Sequence, residues 1–182
     1  QTKPKKEWVD LSRVFEKAVA LMNHNLNLKG ITVIQNPVFS LPPVPCDAKQ
    51  MQQVFVNLIG NAAEAMPQGG VITLEASHLP EEGRVLCQIR DNGIGIPPEH
   101  LPNIFEPFFT TKDEIKGVGL GLSVVHGIIS EHGGQITVES RAGEPGNGPL
   151  AAEAPQRLLD QGEDHQFGVD REPVIAIVAR AR

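Results

Sequence analysis

Apolar residues at Leu11, Val14, Phe15, Ala18, Leu21 and Met22 recur at helical spacing behind Asp10, a side chain suited to cap a helix, and the pattern stops near Gly30. The chain is expected to open with a helix buried along that one face. Ile31 to Ile34 follow as a short β-rich run, and Pro37, Pro42, Pro43 and Pro45 then enforce a loop. Asp47, with Gln50 three residues later, has the form of a capping box and begins a strongly amphipathic helix reaching about Met66. Met51, Val54, Phe55, Leu58, Ile59, Ala62 and Ala65 form its core stripe. At about 100° per residue, Asn57, Asn61 and Glu64 share a stripe of their own, roughly a quarter-turn or a little more from that core face. They border the core without being buried in it.

Pro67 to Gly70 is a turn, after which Val71 to Ser77 and Arg84 to Arg90 read as two strands of a hairpin. The second strand runs into Asp91-Asn92-Gly93-Ile94-Gly95-Ile96-Pro97, too glycine-rich to continue pairing. Prolines and charges break the stretch from Pro98 to Lys116, which reads as a mobile segment. Gly117-Val118-Gly119-Leu120-Gly121 then leads into a helix from about Leu122 to His132, ended by Gly133-Gly134, and Gln135 to Ser140 is another strand. This element order predicts an α/β fold, a two-layer sandwich with helices on one face of a mixed sheet. There is no internal repeat.

Length and charge narrow the function. A chain of 182 residues buries one core and favours a single domain with an appendage. The net charge of -6 argues against a nucleic-acid partner, because phosphate backbones are bound by clustered Lys and Arg, which are lacking here outside Lys3 to Lys6. That run reads as a solvated linker end. Cys46 and Cys87 form neither a metal-binding spacing nor a disulfide framework, which fits a reducing, cytoplasmic setting. No apolar run reaches the length of a membrane span, so no membrane contact by these residues is expected.

Two glycine clusters and an asparagine-bearing helix are the parts a nucleotide site needs. Gly117, Gly119 and Gly121 stand at a helix start, where free backbone N–H groups and the positive end of the dipole bind phosphate. The cluster is not a Walker loop, since no Gly-Lys-Ser/Thr ends it. Asp91 ends a predicted strand, where its carboxylate can accept from an amino group such as adenine N6, while Gly93 and Gly95 let a ring pack against backbone. Asn57 and Asn61, one turn apart, offer amide oxygens to a Mg²⁺ or its waters. Taken singly, each has a plainer reading: a glycine-rich loop, a turn aspartate, two surface asparagines.

Taken together, Asn57 to Met66, Asp91 to Pro97, Ile104 to Lys112 and Gly117 to Val125 resemble, in order and spacing, the asparagine box, first glycine box, phenylalanine box and second glycine box of sensor histidine kinases. The likeness runs from about Trp8 to Gly146, and its phenylalanine box is nearest the nitrogen-regulation-like subgroup. The resemblance implies the Bergerat ATP-binding fold, with Asn61 on Mg²⁺, Asn57 on metal or its water, and Asp91 on adenine N6. It places Gly93 and Gly95 beside the ring and Gly117, Gly119, Leu120 and Gly121 at the phosphates. Phe105 to Lys116 would be an ATP lid, at least one of whose phenylalanines anchors it. Lys112 and Lys116 would be the lid's phosphate-facing cations, and Asn57 and Lys112 the catalytic candidates. Hydrolytic members of the fold place a glutamate base four residues before the metal asparagine; here that position is Asn57. An amide cannot take a proton from water, so ATP is expected to stay intact for transfer.

The family's acceptor histidine precedes an acid on a separate helical domain. His24, His78, His100, His126, His132 and His165 are all followed by something else and read as surface or packing residues. Residues 1–9 then read as a linker from a missing dimerisation and phosphoacceptor domain, 10–146 as the catalytic domain, and 147–182 as an atypical tail. The expected partners are the protein's own dimerisation domain and a response regulator, with this fragment a monomer and its parent a homodimer, cytoplasmic or membrane-anchored. A nucleotide-sensing module without phosphotransfer is the rival reading. The β-rich run Pro173 to Val178 either supplies a missing sheet strand, begins a receiver-like domain, or belongs to a divergent tail; an unpaired sheet edge would be a liability, which favours the first.

Overall fold

The computed structural model describes residues 4–36, 41–81, 83–111, 118–140, 142 and 174–180, the last as backbone. Helix α1 (Leu11–Leu28) begins where Asp10 accepts from Ser12 N, and α2 (Ala48–Glu64) begins where Asp47 Oδ1 accepts from the N–H groups of Lys49 and Gln50. Both caps satisfy first-turn donors that a helix cannot satisfy itself. Strands β2 (Ile31–Gln35), β4 (Gly70–Leu79), β5 (Arg84–Asp91), β6 (Gln135–Glu139) and β7 (Val174–Arg180) form one sheet in the order β2-β4-β5-β7-β6. β2 runs parallel to β4 and every other pairing is antiparallel, so the sheet is mixed. The β-rich run near the carboxyl end is therefore a strand of this sheet, lying between β5 and β6.

Alternation along β4 and β5 turns Ile72, Leu74, Val85, Cys87 and Ile89 into the core. There they meet Val54, Phe55, Leu58, Ile59 and Ala62 of α2, and Val125, Ile128 and Ile129 of α3 (Gly121–Glu131). Phe15 of α1 packs on Phe55 with ring centroids 4.0 Å apart.

Four expectations change. Leu21, placed in the first helix's core stripe, is 65% exposed. At 100° per residue it lies about a quarter-turn from the stripe's centre, and Met22 reaches Gly60 of α2 instead. Ala65, placed in the second stripe, is only partly buried, because α2 ends there against a glycine turn, and Ala63 is buried in its stead. The capping box is half formed: Gln50 Oε1 is buried without a partner, and Asp47 N donates to His132 Nε2 at 2.9 Å. Finally, Glu7–Val9 of the supposed linker is a strand, β1, paired antiparallel with β3 (Val44–Cys46) across Trp8 and Pro45. A three-residue pairing that includes a proline lies below what periodicity can detect. Among the described residues no helix is long and apolar enough to cross a membrane.

Candidate nucleotide site

Positions 85, 87, 89 and 91 of β5 all point toward the helices, so the polar Asp91 continues an apolar inward row and is 8% exposed. A carboxylate placed there stands at the end of the strand, on the side of the sheet that carries the helices. Asp91 Oδ1 accepts from Gly93 N at 3.0 Å, an Asx-type turn that fixes the carboxylate's orientation. The first glycine turn is held at three further points. Ile94 N donates to Ala65 O at the end of α2 (3.0 Å), Ile96 N donates to Ser140 Oγ beyond β6 (2.8 Å), and Asn92 Oδ1 accepts from Val71 N (2.8 Å). Gly93 lacks a side chain for reasons of packing, since a Cβ there would lie 2.7 Å from Ala65 O and 2.8 Å from Ala65 Cβ. Gly95 has φ +70°, a conformation glycine takes without strain.

On α2, Asn57 and Asn61 are partly buried and Glu64 is exposed, so the border stripe holds for the asparagines and runs out at the helix end. Both amide atoms of Asn61 lie 3.8 Å from where a Cβ on Gly121 would stand, which brings the asparagine helix and the second glycine cluster together. α3 starts at that glycine with no side chain capping its first turn. Gly119 has φ +69°, and a Cβ on it would lie 2.6 Å from the carbonyl carbon of Phe108. Gly119 O accepts from Phe108 N at 3.0 Å, so the phenylalanine segment and the second glycine cluster form one joint. Ile104 is buried and Phe105 stacks on His126 of α3 with centroids 5.2 Å apart, while Phe108 is 70% exposed. Leu120 is exposed. Lys112, Lys116 and Gly117 lie outside the described residues.

The structure thus draws Asn61 and Gly121 together, sets Gly119 against the Phe108 backbone, and ties the turn after Asp91 to the end of α2. Sequence reasoning missed Asn92, which carries no inward-facing pattern yet organises the hairpin mouth by filling the space a Gly70 side chain would need. It also missed Ser140 and His132. The only available signal was position: Ser140 follows a strand and His132 stands at a helix end before two glycines.

A family model described as "Histidine kinase-, DNA gyrase B-, and HSP90-like ATPase" matches residues 46–149, more than half of the chain. Among curated proteins, sporulation kinase E of Bacillus subtilis (strain 168) is 37% identical over 134 residues, covering 74% of this chain and 18% of that protein. Sensor kinase CckA of Brucella abortus (strain 2308) is 47% identical over 115 residues, 56% of this chain and 12% of that one. The chain therefore spans less than a fifth of either relative. Of solved structures, full-length ShkA in complex with AMPPNP superposes with TM-score 0.71 at 25% identity, covering 97% of this chain and 31% of that one. The catalytic domain of histidine kinase ThkA superposes with TM-score 0.73 at 24% identity, covering 97% and 96%, a likeness of fold.

Proposed function

The chain belongs to the histidine kinase-, DNA gyrase B-, and HSP90-like ATPase family, as an ATP-binding domain of the histidine kinase type, and from that premise we propose how its residues work. Asp91 accepts from the adenine amino group, and Gly93 and Gly95 leave the ring against backbone. The α3 amino terminus, with Gly119, Leu120 and Gly121, receives the phosphates. The approach of Asn61 to Gly121 is the observation that carries this, because it sets a neutral oxygen ligand beside a helix terminus suited to anions.

That donor set fits Mg²⁺, which keeps several waters and takes one or two side-chain oxygens plus phosphates. Asn61 holds the ion with Asn57 beside it, and when bound it neutralises charge on the phosphates. Lys112 and Lys116, which lie outside the described residues, are the lid cations that the family resemblance assigns to the phosphates, with Lys112 a catalytic candidate. With Asn57 where a hydrolase needs a carboxylate base, no side chain there takes a proton from water, and the γ-phosphoryl is kept for a histidine acceptor. The domain contributes positioning and charge neutralisation, with little covalent chemistry. In the longer protein it serves a two-component relay, passing phosphate to its own dimerisation domain and on to a response regulator.

Calorimetry with Mg-ATP tests the nucleotide reading. Wild type should bind, and Asp91→Asn, which turns an acceptor atom into a competing donor, should weaken binding at least tenfold, about 1.4 kcal/mol or more. Equal affinities would overturn it. Labelled ATP with a separately supplied dimerisation domain tests transfer: label on histidine supports the kinase, and binding without transfer favours a sensing module.

A further inference from the structure

His132 is a partly buried residue at a joint between helices, and the phosphotransfer chemistry does not use it. Its Nδ1 lies 2.8 Å from Ile128 O, which can only accept, so Nδ1 carries the proton. Nε2 is then the free acceptor, and Asp47 N donates to it at 2.9 Å. Asp47 is at the same time the cap of α2, and its second carboxylate oxygen accepts from Lys5 N at 3.0 Å. Lys6 Nζ completes the cluster by donating to Glu131 O at the end of α3 (2.9 Å).

The two helices run antiparallel. Their far ends meet at Asp47 and His132, and their near ends at Asn61 and Gly121. An α-helix is close to a rigid rod over the roughly 20 Å of α2 between Asp47 and Asn61, so a bond fixing one end of the pair restricts the other. We propose that His132 is a positioning residue for nucleotide binding: by accepting from Asp47 N it sets α3 against α2 and so holds the second glycine cluster at the distance from Asn61 that Mg-ATP requires. The inference rests on the nucleotide reading above. It assigns the tie of the amino-terminal strand β1 to this far joint, where the segment entering the domain touches the caps of both helices that grip the ligand.

Among the described residues Asp47 meets the ring directly, and the charged and titratable groups linked to that joint are Lys49 of α2, Lys5, Lys6 and Glu7 about β1, Cys46 of β3 and Glu131 of α3. Burial raises the Asp47 carboxyl, but the N–H groups of Gln50, Lys5 and Lys49 and the nearby His132 outweigh it, and the carboxyl lies below its ordinary value. It stays ionised across the range where imidazole titrates. A protonated His132 would present an N–H to an N–H and be drawn instead to the carboxylate that caps α2. Acid therefore breaks the bond to Asp47 N and sets the ring in competition with the α2 cap, which shifts α3 against α2.

The test uses the whole chain and measures Mg-ATP affinity for wild type, His132→Ala and His132→Gln at pH about 8 and about 5.5, which bracket imidazole protonation. Gln can present an acceptor oxygen near the Nε2 position and does not titrate. At the higher pH, His132→Ala should bind at least about fivefold more weakly and His132→Gln within about twofold of wild type. Between the two pH values wild type should lose more affinity than His132→Gln, a comparison in which changes of the ligand itself cancel. Should His132→Ala fail to fold, that comparison still decides. Wild-type affinity in a folded His132→Ala, or equal pH dependence in wild type and His132→Gln, overturns the proposal. Absence of binding by wild type at either pH would instead sink the nucleotide reading.

Discussion

Cys46 and Cys87 show at single-residue scale how burial sets reactivity. Burial and the Asp47 charge push the Cys46 thiol up to about 11 against a small opposing pull from Lys6, and burial with Cys46 nearby pushes Cys87 up to about 12. The thiolate is the reactive form, so neither sulfur should be a nucleophile at neutral pH. Both folded values lie above the unfolded one, so the stability gained by keeping the thiols neutral is complete below about 9 and is lost as pH rises through 11 and 12. A thiol-reactive dye at pH about 8 should label both sites only as fast as the chain opens. Rapid stoichiometric labelling of the native protein would contradict the burial. Cys87→Ala should also flatten the decline of stability in alkali.

Gly119 carries the corresponding argument for an element. Its positive φ and its contact with the Phe108 backbone join the phenylalanine segment to the start of α3. Gly119→Ala would meet both the left-handed penalty of about 1–2 kcal/mol and a carbon at 2.6 Å. Mg-ATP affinity should fall about tenfold or more while circular dichroism stays native, because α3 below its first turn is held by Val125, Ile128 and Ile129 in the core. Unchanged affinity would mean that this joint does not shape the site. Phe108 itself sits at φ +68°, a conformation bulky residues avoid, and sequence reasoning had no means of seeing it. What could be read from sequence was what repeats or clusters: the 3.6-residue stripe on α2, the strand that ends at Asp91, and the glycine clusters. The box resemblance supplied the order of the parts. What escaped were bonds between distant positions, such as His132 to Asp47, Ser140 to Ile96 and Asn92 to Val71, since a lone polar side chain carries no period and its partner is chosen by the tertiary fold.

The molecule as a whole depends on a strand that arrives last in the chain. Among the described residues β6 pairs only with β7, and β7 pairs on its other side with β5, so without Val174–Arg180 the strand β6 has no described place in the sheet. β6 follows α3 through Gly133-Gly134, and Ser140 just beyond it holds Ile96 of the first glycine turn. Both glycine clusters thus lean on β7 through β6, although β7 touches neither in sequence. Ending the chain at residue 173 should expose two strand edges, broaden or abolish the cooperative denaturant transition, and remove Mg-ATP binding together with it. A truncated chain that unfolded as sharply as the full one and kept its affinity would show that β5 alone closes the sheet. An intermediate result is informative too: a cooperative transition with lost affinity would place the role of β7 in holding the glycine turns, and its cause could be traced by asking whether Ser140→Ala, which removes only the acceptor for Ile96 N, reproduces it.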